Sequence, residues 1–214
     1  MIFLQGLFDV MKESYSESIN HFPLIELIFY SVDQTLFYFI LWLIIRMVYL
    51  LFIKKNKKEK KMRREIGLNV FVFYVILLIH LTVFREEHNI GNIEFNIQTL
   101  TSINLTPLVH TFKLTQGVTL FDYYYNLYGN IFWFVPMGFV VPYLLNKKPY
   151  FMKTILIGFC FSFSIETLQF IFGTGITDID DLIFNTIGTL IGLVCFMIFK
   201  KGIKQFSKNR KLPS

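Results

Sequence analysis

The chain has 214 residues, 54% of them hydrophobic and 17% charged, and its 26 Phe, 11 Tyr and 2 Trp make it 18% aromatic. Soluble domains usually lie near 45–50% apolar and about 25% charged, so this balance excludes a soluble enzyme, a collagen-like chain, a disulfide scaffold and a disordered segment. It points to a polytopic membrane protein, and the placement of the basic residues behind the net charge of +6 becomes the informative quantity.

Residues 1 to 22 mix apolar and polar positions and lack the basic start and small-residue cleavage site of a signal peptide. They are expected to lie along the outer membrane interface. A helix needs about 20 mostly apolar residues to cross the hydrocarbon core. The first stretch that qualifies runs from about Leu36, with an earlier start left open, to Ile53, the second from Ile66 to Phe84 and the third from about Leu127 to Leu145. The fourth covers about Thr154 to Phe172 and the fifth about Leu182 to Phe199. None alternates as a barrel strand of ~10 residues does. The expected fold class is therefore all-α, a polytopic transmembrane bundle of about five spans. Cys160 and Cys195 both fall inside apolar runs, where cysteine packs as a small hydrophobe.

The loops assign the sides. Eight basic residues crowd residues 54–64, three more are Lys147, Lys148 and Lys153, and six follow the fifth span from Lys200 to Lys211. These make up 17 of the 21, and Lys and Arg accumulate in cytoplasmic loops. The expectation is an N-terminus outside and a C-terminus in the cytoplasm, with the basic rim facing an anionic leaflet rather than a nucleic acid. Arg46 lies inside the first span, close enough to Lys54 to snorkel toward that rim.

The polar residues gather on the other side. The largest loop, Arg85 to about Asn126, holds REEHN, NLTP and FDYYYN. Asn126 and Asn130 are one turn apart on the third span, ahead of Pro136 and Gly138, so a kink there can open a polar cleft. Glu166 and Gln169 are three residues apart on the fourth span and share a face. An acidic group in a span costs on the order of 2.5–3.5 kcal/mol on insertion scales and marks a pathway, relay or specific pair. Arg85 is the partner the sequence offers it. After the glycine turn at 173–175, Asp178, Asp180 and Asp181 crowd within four residues. One of them suits the N-cap of the fifth helix. The other two need a cation, an Arg or a shared proton, and a divalent cation at Asp178, Asp180 and Asp181 is one way to satisfy them. Asp181, Asn185, Gly188 and Gly192 form one stripe, polar at its start and small at its end, with Gly188 and Gly192 suited to close helix packing.

Taken in order, Arg85, Asn104-Leu-Thr-Pro107, Asn126 with GNIFWFVPMGFVVP, Glu166-Thr-Leu-Gln169 and Asp178-Ile-Asp-Asp181 through Gly188 resemble the VanZ-like family. Many of its members carry an Arg shortly before the acidic cluster; residues 173–177 hold none here. The resemblance divides the chain into residues 1–65, an N-terminal segment with an accessory span and basic loop; 66–200, a four-helix VanZ-like domain; and 201–214, a basic tail. It implies a cell-envelope membrane protein of the kind associated with low-level teicoplanin resistance in Gram-positive bacteria.

Several functions fit these residues. One is an outward-facing polar pocket lined by Arg85, Asn104, Asn126, Asn130, Glu166, Gln169, Asp178, Asp180, Asp181 and Asn185, taking a lipid headgroup or the tail of a lipoglycopeptide. Another is a membrane enzyme acting on a lipid-linked substrate, with Glu166 as general base and the Asp cluster holding a metal. It has no zinc, nucleophile-elbow or phosphate-loop motif behind it, and His80 and His110 read as structural. A transporter lacks the paired broken helices that would support it, and an accessory subunit docking through the glycine stripe is the fourth reading.

Overall fold

The computed structural model describes residues 1–16, 19, 22–52, 60–85, 95–108, 120–145 and 149–209. Among these are six α-helices: α1 (Gln5–Tyr15), α2 (Phe22–Phe52), α3 (Lys60–Thr82), α4 (Leu120–Leu145), α5 (Phe151–Phe172) and α6 (Ile179–Asn209), with a 3-10 turn at Leu100–Ser102. No strand occurs among the described residues, and five of the helices are long and apolar enough to cross a membrane. Residues 54–59 of the basic loop, residues 86–89 of the REEHN segment, His110, Lys147, Lys148 and the last basic residues of the tail lie outside the described residues.

The C-terminal ends of α3, α4 and α5 match the expected ones to within two residues, α3 and α4 begin six and seven residues early, α6 runs ten residues further, to Asn209, and the largest difference is at α2. It begins at Phe22, well before the expected Leu36, because Glu26 and Asp33 interrupt the apolar run in sequence without interrupting the helix. The chain divides into two compact units.

The first unit comprises Met1–Gln98 with Leu168–Gly175. Its backbone is the α2–α3 pair, zipped antiparallel. Arg46 donates to Glu65 through Nε at 2.9 Å and Nη2 at 2.7 and 2.9 Å. Trp42 Nε1 donates to Asn69 Oδ1 at 3.0 Å, and Phe39 meets Phe73 edge to face. Arg46 is thus held by a carboxylate and by the Tyr49 ring at 4.9 Å, where a snorkelling guanidinium was expected. A two-pronged Arg–carboxylate pair neutralises both charges within the span, which snorkelling alone does not. His80 is buried, stacked on Tyr38 at 5.5 Å and tilted on Phe84, as a structural histidine.

The helix α1 leans on α2 through Phe8, which is 3% exposed and ringed by Phe22, Phe29 and Tyr30 at centroid distances of 6.2, 5.6 and 6.0 Å. Its N-terminal end meets Asp33. The two carboxylate oxygens accept from the backbone amides of Ile2, Phe3 and Leu4 at 2.6, 2.7 and 2.8 Å. Asp33 is fully buried.

The second unit comprises Thr99–Thr167 with Ile176–Ser214. Helices α4 and α6 run parallel and touch backbone to backbone. A Cβ on Gly188 would overlap the Ile131 carbonyl, one on Gly192 the Val135 carbonyl, and one on Gly138 the Thr189 carbonyl. Only glycine allows this approach, and Cα–H groups then meet carbonyl oxygens directly. Pro136 and Pro142 are both accommodated within α4. Helix α5 runs antiparallel to α6, where Gly158 makes room for Thr189 and Ser162 bonds Asn185.

Candidate functional site: a carboxylate and amide cluster at the start of α6

Four segments of the second unit build this cluster. The turn into α6 supplies the carboxylates. Asp178 immediately precedes the helix, and its Oδ1 accepts from the Asp180 amide at 2.9 Å, the geometry of an N-cap. Asp180 and Asp181 occupy the first turn, where negative charge meets the positive end of the helix dipole.

The loop at 103–108 crosses this turn. Asn104 forms a parallel bridge with Asp178: its amide donates to the Thr177 carbonyl at 2.9 Å, and its carbonyl accepts from Ile179 at 3.0 Å. Its side chain adds a bond from Nδ2 to Asp178 Oδ1 at 3.0 Å. Leu108 then takes a left-handed conformation (φ 64°) and aims its amide at Asp180 Oδ1, 2.6 Å away. A leucine resists that conformation, so the bond to Asp180 offsets local strain.

The spans supply the rest. Asn130 on α4 donates from Nδ2 to Asp181 Oδ1 at 2.6 Å. Glu166 on α5 accepts from the Asp178 amide at 3.0 Å through Oε2. The pairs Gly158/Thr189 and Ser162/Asn185 fix the α5–α6 register, and one more turn sets Glu166 level with Asp181. Glu166, Asp178, Asp180 and Asn185 are all more than nine-tenths buried. Asn185 donates to Ser162 Oγ at 2.9 Å, while its Oδ1 is buried with no partner among the described residues. Since a hydroxyl can accept or donate, turning the amide would move the orphan to the nitrogen without removing it.

Of the ten residues singled out in sequence, Asn104, Asn130, Glu166, Asp178, Asp180 and Asp181 come together in this one network. Asn185 lies one turn below it. Gln169 and Arg85 belong to the first unit, and the side chain of Asn126 lies outside the described residues. Gln169 turns its Nε2 to the Thr82 carbonyl at 3.2 Å, which leaves Oε1 buried without a partner among the described residues, as is Thr174 Oγ1. It packs on Gly175 in a turn that closes through Gly173 (φ 68°) and Gln98, whose amide donates to the Phe170 carbonyl at 3.1 Å. Arg85 is exposed, and the hydrogen-bond partner of Glu166 is a backbone amide instead of a guanidinium.

Sequence reasoning passed over Ser162, the Leu108 amide and Asp33. Ser162 was legible, four residues before Glu166 on the same helix face. A backbone amide carries no residue-type signal, so Leu108 was not.

Metal chemistry rests on the donor set. N–H donors reach Asp178, Asp180 and Asp181, and no group of three or more His, Cys, Asp or Glu with metal-holding geometry occurs among the described residues. What the arrangement shows is four carboxylates gathered at one end of α6, with N–H donors from the turn, the loop and α4 aimed at them.

The chain matches the VanZ/LLP1 family over residues 71–200. It is also similar to Protein VanZ of Enterococcus faecium, with 30% identity over 152 residues, covering 70% of this chain and 84% of that protein. No solved structure matches it.

Proposed function

Since the chain belongs to the VanZ/LLP1 family, we propose that it is a multi-pass protein of the bacterial cell membrane whose acidic cluster binds an amphiphilic component at the outer surface and so gives low-level protection against teicoplanin. In this reading the N-terminus faces out and the C-terminus faces the cytoplasm, which the side of the basic loops supports. The observation that carries the reading is the convergence of Glu166, Asp178, Asp180 and Asp181 on neutral N–H donors from three separate segments. Buried carboxylates are expensive unless satisfied, and a fold that spends three segments on holding them has fixed their geometry. At the outer end of spans, such acceptors suit the headgroup of a lipid or the polar part of a lipid-bearing glycopeptide.

The test is expression in a Gram-positive host with susceptibility to teicoplanin and vancomycin measured side by side. Wild type and Glu166→Ala are compared at matched membrane levels. The expected result is protection against teicoplanin only, lost in the variant. A Glu166→Ala protein that protects as well as wild type refutes the role of the cluster.

A further inference from the structure

The feature that the acidic cluster does not use is the clasp between Asp33 and the start of α1. A carboxylate with no exposure, inside an apolar helix, takes three consecutive backbone amides at 2.6–2.8 Å. The Leu4 amide belongs to the N-cap of α1 and those of Ile2 and Phe3 precede the helix, so none of the three has a partner within it. In water the solvent satisfies them, and in hydrocarbon nothing does. A buried anion placed at that end answers both needs, since the helix dipole there is positive.

The depth follows from the α2–α3 register. Arg46 faces Glu65, Trp42 faces Asn69 and Phe39 faces Phe73; equal steps along both helices set Asp33 level with Leu78 and Ile79. Leu78 is 1% exposed and lies one turn inside the end of α3 at Thr82. The apolar part of α3, Met62–Thr82, is roughly 30 Å long, matching a hydrocarbon core. The start of α1 therefore sits about 5 Å below the membrane boundary, one helical turn down.

The outward face of α1 agrees. Leu7 and Val10, 58% and 60% exposed, share one side of the helix, and Phe3, 49% exposed, stands just ahead of it. Asp9, Lys12 and Glu13 come later, toward the boundary. The exposed face continues the apolar surface of α2, where Ile28 is also exposed.

We propose that α1 is a lipid-binding element: it enters the leaflet at the end opposite the basic loops, start first, with Phe3, Leu7 and Val10 against acyl chains and Asp33 as its buried cap. Interfacial helices bury their apolar face by about 5–10 Å, in agreement with the register.

The test places a nitroxide at Phe3→Cys, Leu7→Cys, Val10→Cys or Lys12→Cys in a Cys160→Ser, Cys195→Ser background. The full chain is reconstituted in phosphatidylethanolamine/phosphatidylglycerol vesicles, and collisions with oxygen and with a water-soluble nickel complex are compared. Oxygen should dominate at 3, 7 and 10, with depth greatest at 3, and the nickel complex at 12. Nickel dominating at 3 and 7 overturns the proposal. So does dipolar broadening that grows with protein-to-lipid ratio, which would make this face a contact between copies. A further Asp33→Ala substitution should bring the label at 7 to the aqueous phase; an unchanged depth there overturns the role of Asp33. The first measurement leaves Asp33 intact and stands even if that variant does not fold.

Discussion

Replacing Gly188 by alanine puts the α4–α6 contact to the test. The new Cβ would lie 2.9 Å from the Ile131 carbonyl carbon and overlap its oxygen, whereas carbon contacts are most favourable at about 3.5–4.0 Å. Both obstacles are backbone, so no rotamer change relieves them, and the helices must part by roughly an ångström. Overpacking of this kind costs about 1–3 kcal/mol, offset by about 1 kcal/mol from the better helix propensity of alanine. Gly129→Ala is the internal control, because nothing lies within 4 Å of a Cβ there. It collects the propensity gain alone, so the difference between the two variants isolates the overpacking, about 1–3 kcal/mol. The assay is reversible unfolding in mixed detergent micelles followed by circular dichroism. The same displacement reaches the acidic cluster. Asn130 precedes Ile131, and stretching its 2.6 Å bond to Asp181 by an ångström takes it beyond the ordinary limit of about 3.2 Å. Teicoplanin protection should fall in Gly188→Ala and persist in Gly129→Ala. Equal stability of the two variants would refute the backbone contact.

The Asn130→Ala and Asp181→Asn variants should each lose stability, with a coupling of about 1.5–3 kcal/mol in a double-mutant cycle; a coupling near zero would remove the bond from the account. Glu65→Gln leaves Arg46 with a neutral partner inside the span and should cost about 1–3 kcal/mol, little changed between low and high salt because the pair is only 18% and 16% exposed; a strong salt effect on unfolding would argue against a sheltered pair. Leu108→Asn should raise the unfolding midpoint, worth up to about 1 kcal/mol, because asparagine tolerates the left-handed conformation and the leucine side chain is 41% exposed. A lowered midpoint would show that the leucine side chain matters more than the strain.

Much of this was legible in the sequence because a membrane imposes a simple rule on length and polarity. The C-terminal ends of α3, α4 and α5 fall within two residues of their expected places. The start of α2 does not, because Asp33 reads locally as the edge of an apolar run. Its partners are backbone amides 29 to 31 positions away, and nothing in residue type announces them. Spacing also placed Glu166 and Gln169 on one face of one helix, correctly as far as the helix goes. It could not foresee that one side chain would take the Asp178 amide and the other the Thr82 carbonyl, since those choices depend on where two distant loops return. The Asp trio was legible as a cluster with one N-cap, and that Leu108 and Asn130 would donate to the other two was not.

The Asp33 clasp also sets an order of events during biosynthesis. Ile2, Phe3 and Leu4 leave the ribosome well before Asp33, so their amides keep water as a partner until α2 has been made and inserted. In the proposed orientation the segment must first reach the far side of the membrane with Asp9, Lys12 and Glu13, and only then fold back so that its start sinks beside α2. A bulky, polar tag fused ahead of Met1 would have to remain at the level of the clasp. Such fusions should therefore unseat α1 while leaving the five spans in place, and a tag at the basic end is the safer handle for purification.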